Sequence, residues 1–176
     1  MTDNNDMRLP DFVLPDLYKH HLVIVNEPSV YNKVEEKTVV SDTKEPEFLG
    51  NNQKKITILV SDKEAVFVND QALQFLSAIL TACKLNLGDV AIVNLANHPL
   101  SYPAIKEWLT PKYMILFDIE ASLIRMPFKL PLYQVQLYDQ CSLLFAPSFH
   151  TMMGDSREAK LEKSKLWLSL KNMFNL

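Results

Sequence analysis

The sequence predicts an α/β fold: a three-layer sandwich with a mostly parallel four-stranded sheet, its strands ordered 2-1-3-4 when counted along the chain. Three observations carry this. Short apolar runs alternate with stretches of helical period. The runs are continuously apolar, as in strands buried on both faces. Right-handed crossovers between parallel strands leave few other orders.

The elements follow from Lys55 onward. Ile56 to Val60 is a β-branched apolar run and reads as the first strand. Asn69 or Asp70 caps a helix whose apolar residues, Ala72, Leu73, Leu76, Ile79, Leu80 and Cys83, recur at steps of three and four and share a face. Gly88-Asp89 turns the chain into the second strand, Val90 to Leu95. Ser101 caps a helix carrying Ile105, Trp108 and Leu109, which Pro111 ends. Tyr113 to Phe117 is the third strand, and Asp118 is expected to cap a short helix through Leu123. Leu132 to Leu137 and Ser142 to Phe145 read as two further strands around Tyr138-Asp139-Gln140. The last helix runs from about Ser156 to Phe174, with Leu166, Trp167, Leu170, Met173 and Phe174 on its buried side.

The chain has 176 residues, 48% of them hydrophobic and 22% charged, which suits a globular domain with its own core. Residues 1–50 hold ten acids against five bases, a net charge of −5, and residues 51–176 hold eleven against thirteen, a net charge of +2. This divides the chain into an N-terminal extension, 1–54, and an α/β domain, 55–176. Within the extension, Asn26 to Lys55 has no sustained period and reads as a linker or loop. Ahead of it Phe12, Val13, Leu14, Leu17 and Tyr18 form an apolar patch, followed by Leu22 to Val25. The patch either packs on the domain or docks on a partner, with Phe12, Leu14, Leu17 and Tyr18 as the partner-binding candidates.

Composition excludes several classes. Apolar runs are broken within about ten residues, too short for a membrane span. Met1 to Pro10 carries Asp3, Asp6 and Arg8 where a secretory leader would be apolar. Two cysteines, Cys83 and Cys141, make neither a disulfide framework nor a four-thiolate metal site, so a reducing cytoplasm is expected. A net charge of −3 argues against indiscriminate nucleic-acid binding. Gly50, Gly88 and Gly154 fit no nucleotide-binding loop, and His20, His21, His98 and His150 show no metal-ligand spacing, so neither cofactor nor metal is expected.

In parallel sheets ligands bind beyond the carboxyl ends of the strands. That rule selects Ser61 to Lys63, Asn94 to Pro99, Asp118 to Glu120 and Ala146 to His150. The weak catalytic candidates among them are Asp62, Asn94, His98, Ser148 and His150. Asp62 and Asp118 end adjacent strands and could share acid–base work, although helix capping is the more ordinary duty of each. His98 is read as a solvated loop histidine or a general acid–base group. Ser148 and His150 with a carboxylate would formally complete a triad, but no Gly-x-Ser-x-Gly elbow accompanies them.

The order of elements, Phe67-Val68-Asn69 ahead of the first helix, a second strand ending in Asn94, and a last strand running into Ala146-Pro147-Ser148-Phe149 resemble the uracil-DNA glycosylase superfamily. The final helix, with Lys160, Lys163, Lys165, Trp167 and Leu170, is similar too, and the likeness covers about residues 55–174. It implies a first motif after strand one that holds a catalytic water and a Gly-rich phosphate grip, and a second motif, His-Pro-Ser or His-Pro-Ala, closing the last strand. Here the first place reads Val60-Ser61-Asp62-Lys63-Glu64-Ala65, without glycine, and the second has Ala146 for histidine. The iron–sulfur cysteines of some members are absent. Base excision needs an extruded base, contacts to its edge and stabilisation of developing charge.

The layout is also similar to the psi subunit family of the bacterial DNA polymerase III holoenzyme, in the segments Phe12 to Tyr18, Ile56 to Val90 and Lys160 to Trp167. Together the resemblances imply a non-catalytic protein-interaction module for DNA replication or repair. It would have a protein partner, weak or no direct DNA binding and a cytoplasmic location. The alternative is a divergent DNA glycosylase or other nucleic-acid-processing enzyme.

Overall fold

A computed structural model describes residues 45–176. The apolar patch with Phe12, Leu14, Leu17 and Tyr18 lies outside the described residues, as do His20 and His21.

The described chain is an α/β unit built on one mixed six-stranded sheet. Its elements are β1 (Leu49–Gly50), β2 (Ile56–Val60), α1 (Asp70–Ala82), a 3-10 turn (Leu87–Asp89), β3 (Val90–Asn94), α2 (Tyr102–Leu109), β4 (Tyr113–Phe117), β5 (Val135–Tyr138), β6 (Cys141–Ala146), α3 (Phe149–Met152) and α4 (Arg157–Phe174). The strands lie in the order β1-β3-β2-β4-β6-β5. The four central strands run parallel, and β1 and β5 close the two edges antiparallel.

Register aligns the apolar residues in rows across the sheet. Ile58 faces Ile92 and Ile115, and Ile115 faces Leu144. All four belong to an apolar cluster shared with Leu76 and Leu80 of α1 and Leu166, Leu170 and Met173 of α4. The next row, Leu59, Val93, Leu116 and Phe145, faces the opposite way. It joins Ala104, Ile105 and Leu109 of α2, with Ile119, Ile124 and Met126. Successive residues of these strands thus bury on opposite faces, which is why the runs are apolar without alternation. At about 1.5–3 kcal/mol for each large buried side chain, these rows dominate the stability of the fold.

The chain leaves β2 toward one side of the sheet through α1 and β3, then returns across it through α2 to β4. Right-handed connections in opposite directions place α1 and α2 on opposite faces. The caps are local. Asn69, not Asp70, accepts from the Ala72 amide at 2.9 Å. Ser101 and Ser156 do the same for α2 and α4.

Several details depart from the sequence reading. The sheet has six strands, not four. Leu49–Gly50, inside the stretch read as loop, pairs with Ala91 and Ile92. Gly50 permits this: its φ is +109°, and a Cβ there would lie 2.2 Å from the Val90 carbonyl oxygen. The helix expected from Asp118 to Leu123 does not form. Asp118 is left-handed, with φ +55°, and its amide donates to the Ala146 carbonyl at 3.0 Å. It thereby extends the sheet instead of capping. The bonds Leu123 to Glu120 and Arg125 to Ser122 are single turns.

The strand expected at Leu132 to Leu137 starts later, at Val135, and is an edge strand with Gln136 and Leu137 exposed. Asp139 and Gln140, both at positive φ, form the tight turn into β6. Lys106 of α2 ties that turn by donating to the Asp139 carbonyl at 2.6 Å. Trp167, expected on the buried side of the last helix, is 37% exposed, and Trp108 is 41% exposed.

Candidate functional site

The central strands are ordered so that β2 sends its connection to one side and β4 stands on the other. A crevice opens beyond their carboxyl ends at such a reversal. Here it is a polar cleft of about 380 Å³, lined by Val60, Ser61, Asp62, Lys63, Glu64, Val68 and Asn69 after β2, Phe117 and Asp118 at the end of β4, and Ser148, Phe149 and His150 after β6. Asp62, Asp118, Ser148 and His150 thus meet in one cavity although 88 positions separate the first from the last.

Each is also held by its own scaffold. One Asp62 carboxylate oxygen accepts from the Glu64 amide at 2.9 Å, and the other accepts from the Asn69 side chain at 3.2 Å. Asn69 in turn caps α1. Asp118 is set by its left-handed backbone and its bond to β6. Ser148 caps α3: its hydroxyl oxygen accepts from the His150 amide at 3.4 Å, and its carbonyl accepts from the Thr151 hydroxyl at 2.7 Å. Phe149 packs on Phe117, with ring centroids 4.4 Å apart, and on Phe75 at 6.0 Å. The second wall is therefore aromatic and continuous with the core.

Asn94 and His98 are not among the lining residues. Asn94 is fully buried. Its side-chain oxygen accepts from the amides of Asp62 at 3.0 Å and Ala96 at 3.1 Å. Its side-chain nitrogen donates to the carbonyls of Asp62 at 2.6 Å, Ala65 at 2.9 Å and Val66 at 3.3 Å. Asn97 bonds the same Ala65 and Val66 carbonyls, at 2.9 and 3.0 Å. The two asparagines peg the loop after β2 to the end of β3, which positions the cleft without entering it. His98 lies 3.6 Å from the Glu47 carboxylate, an ion pair when the imidazole is protonated.

A second feature was not read from the sequence as a site. On the face of the sheet covered by α1 and α4, the two helices leave an apolar groove of about 290 Å³. It is lined by Phe75, Ala78, Ile79 and Ala82 of α1 and by Lys163, Leu166, Trp167 and Leu170 of α4. The available signal was the pair Ala78 and Ala82, one turn apart on the side of the helix that also carries Phe75 and Ile79. Leu166 and Leu170 are buried, as the sequence predicts, and also line the groove, whereas Trp167, expected beside them, is exposed at its edge.

On the other flank of α4, the Tyr133 hydroxyl donates to the Glu162 carboxylate, and Lys165 donates to Glu162 at 2.7 Å. Ser169 donates to the Tyr133 carbonyl at 2.6 Å. Lys165 first, then Tyr133, holds the Glu162 carboxyl below its ordinary range, whereas burial and then Glu162 push the Tyr133 phenol up. This cluster fastens the segment ahead of β5 to α4.

Among the described residues no group of three or more His, Cys, Asp and Glu side chains is placed to hold a metal ion. No helix of the described residues is long and apolar enough to cross a membrane. No family model matches this chain, and no curated protein matches it.

Proposed function

We propose that this chain is a non-catalytic protein-interaction module on a uracil-DNA glycosylase-like scaffold, an accessory to DNA replication or repair. The observation that carries the interaction reading is the apolar groove between α1 and α4, with Trp167 accessible at its edge. Exposed apolar grooves are among the surfaces at which proteins bind partners or ligands. Two further facts support the absence of base excision. Ala146, at the place of the superfamily's histidine, is buried in the apolar cluster under α1 and α4. Asn94, one of the catalytic candidates, is committed to loop backbone on both its oxygen and its nitrogen.

The polar cleft favours a second reading, a divergent nucleic-acid-processing enzyme, because Asp62 and Asp118 line one cavity with Ser148 and His150. Incubating the full chain with uracil-containing single- and double-stranded DNA separates the two. The module reading expects no base release above a control without protein. Release that disappears with Asp62→Asn or Asp118→Asn would establish the enzyme. Both side chains are accessible enough for substitution to spare the core.

A further inference from the structure

We propose that the groove between α1 and α4 receives an acidic amphipathic helix of a partner protein. This deepens the interaction reading above and rests on it.

The shape comes from the two helices. From Phe75 to Ala82 the groove follows α1 for about two turns, roughly 10 Å at 1.5 Å per residue. Its lining residues on α1 fall at Phe75, Ala78, Ile79 and Ala82, and on α4 at Lys163, Leu166, Trp167 and Leu170, both at helical spacing. Ala78 and Ala82 are small and exposed, so an incoming helix can seat its side-chain ridge between α1 and α4. Phe75, Ile79 and Trp167 form the walls.

The sign of the partner comes from charge. Between Asp70 and Lys84, α1 carries no charged residue. α4 carries Arg157, Lys160, Lys163, Lys165 and Lys171 against Glu158 and Glu162. At 100° per residue, Lys160, Lys163 and Lys171 share the side of α4 that holds Trp167, while Glu158, Glu162 and Lys165 turn to the opposite flank. There Glu162 is engaged by Tyr133 and Lys165. Lys163 reaches the Gly154 carbonyl at 3.0 Å. Lys160 and Lys171 are exposed and form no ion pair among the described residues. The groove is therefore apolar at its floor and cationic along one rim, in a chain whose net charge is −3. A helix with an apolar stripe flanked by Asp and Glu is its complement.

Two other occupants fit less well. A second copy would bring two lysine rims together about a two-fold axis. Single-stranded nucleic acid takes several stacking platforms beside its cationic groove, and this groove offers two aromatic residues, Phe75 and Trp167, of which Phe75 is half-buried.

The test pans a phage-displayed library of random peptides about 16 residues long, roughly four helical turns, on the immobilised full chain. The same library is passed over the Ala78→Glu chain, and circular dichroism checks that this exposed substitution leaves the fold intact. Enriched peptides are then titrated against Trp167 fluorescence in a Trp108→Phe background. The proposal expects enriched sequences with apolar residues at i, i+3 or i+4 and i+7 and a surplus of Asp and Glu. It expects affinity to fall about tenfold or more with Ala78→Glu, and roughly three- to tenfold with Lys160→Glu and Lys171→Glu together.

Failure to enrich any peptide, enrichment that Ala78→Glu retains, or displacement of the peptides by a thymidine oligonucleotide would overturn it. Neutral or basic helices that bind the wild-type chain and are lost on Ala78→Glu would overturn the acidic partner while leaving the interaction reading in place. Uracil release in the assay above would overturn that reading itself.

Discussion

Replacing Asn94 by alanine tests whether this residue is scaffold or chemistry. Five contacts are removed, but the loss is unequal. The Ala65 and Val66 carbonyls keep Asn97 as a donor. The Asp62 amide, the Asp62 carbonyl and the Ala96 amide lose the side-chain partner described for them. A net value of about 1 kcal/mol for each of these three groups gives a destabilisation of about 3 kcal/mol. Solvent access to the loop lowers the figure, and the small void left behind raises it. Urea unfolding followed by circular dichroism reads this directly. With a slope of about 1–3 kcal/mol per molar for a domain of this size, the midpoint should fall by roughly 1–3 M. Asn97→Ala should couple to it, because the two side chains share acceptors, and a double-mutant cycle should depart from additivity by at least about 0.5 kcal/mol. A loss below about 1 kcal/mol for Asn94→Ala would refute the reasoning. Retained stability with a changed activity would return Asn94 to the chemistry.

Three more outcomes are expected. Gly50→Ala should cost about 2 kcal/mol, because it combines a disfavoured φ with a backbone clash, and it should speed amide exchange on β1 while sparing β2 and β4; unchanged exchange on β1 would contradict this. Glu162 has a folded-state pKa depressed below its ordinary 4.5, by Lys165 first and then Tyr133, so its contribution to stability is full above that value and is lost as pH falls through the depressed one; Lys165→Met and Tyr133→Phe together should therefore flatten the acid limb of a stability–pH profile, and an unaltered limb in that double variant would discount the cluster. Burial pushes the Cys141 thiol up to about 11, with Lys106 opposing and Asp139 adding, and Cys83 is raised by burial too; a thiol reagent at pH 8 should leave both unmodified in the native chain and reach both after denaturation, and rapid native labelling of either would place it at the surface.

What could be read from the sequence rests on short-range physics. The four central strands, the order of their parallel core, the cap at Ser101, the choice of Asn69 or Asp70 as a cap and the start of the last helix near Ser156 depend on apolar runs, helical period and a hydroxyl or amide three positions from a free N–H. The place of the polar cleft was also legible, because the end of a parallel strand is marked by the residue where its apolar run stops. Asp62, Asp118, Ser148 and His150 were found this way.

The rest was decided by residues far apart in the chain. Leu49–Gly50 pairs with a strand forty positions on, and nothing local marks a two-residue strand. Asp118 looked like a cap, yet the Ala146 carbonyl claims its amide for the sheet. By sequence, Asn94 and Asp62 are both polar residues at or just beyond the end of an apolar strand. Only the fold buries one among loop carbonyls and opens the other to a cavity. Trp167 shows the same limit: its helical phase is compatible with the core, but the spacing between α1 and α4 leaves it at the edge of a groove. Periodicity defines which way a side chain points along its own helix. How closely the neighbouring helix approaches, and so whether that side chain is covered, is set by packing on the shared sheet.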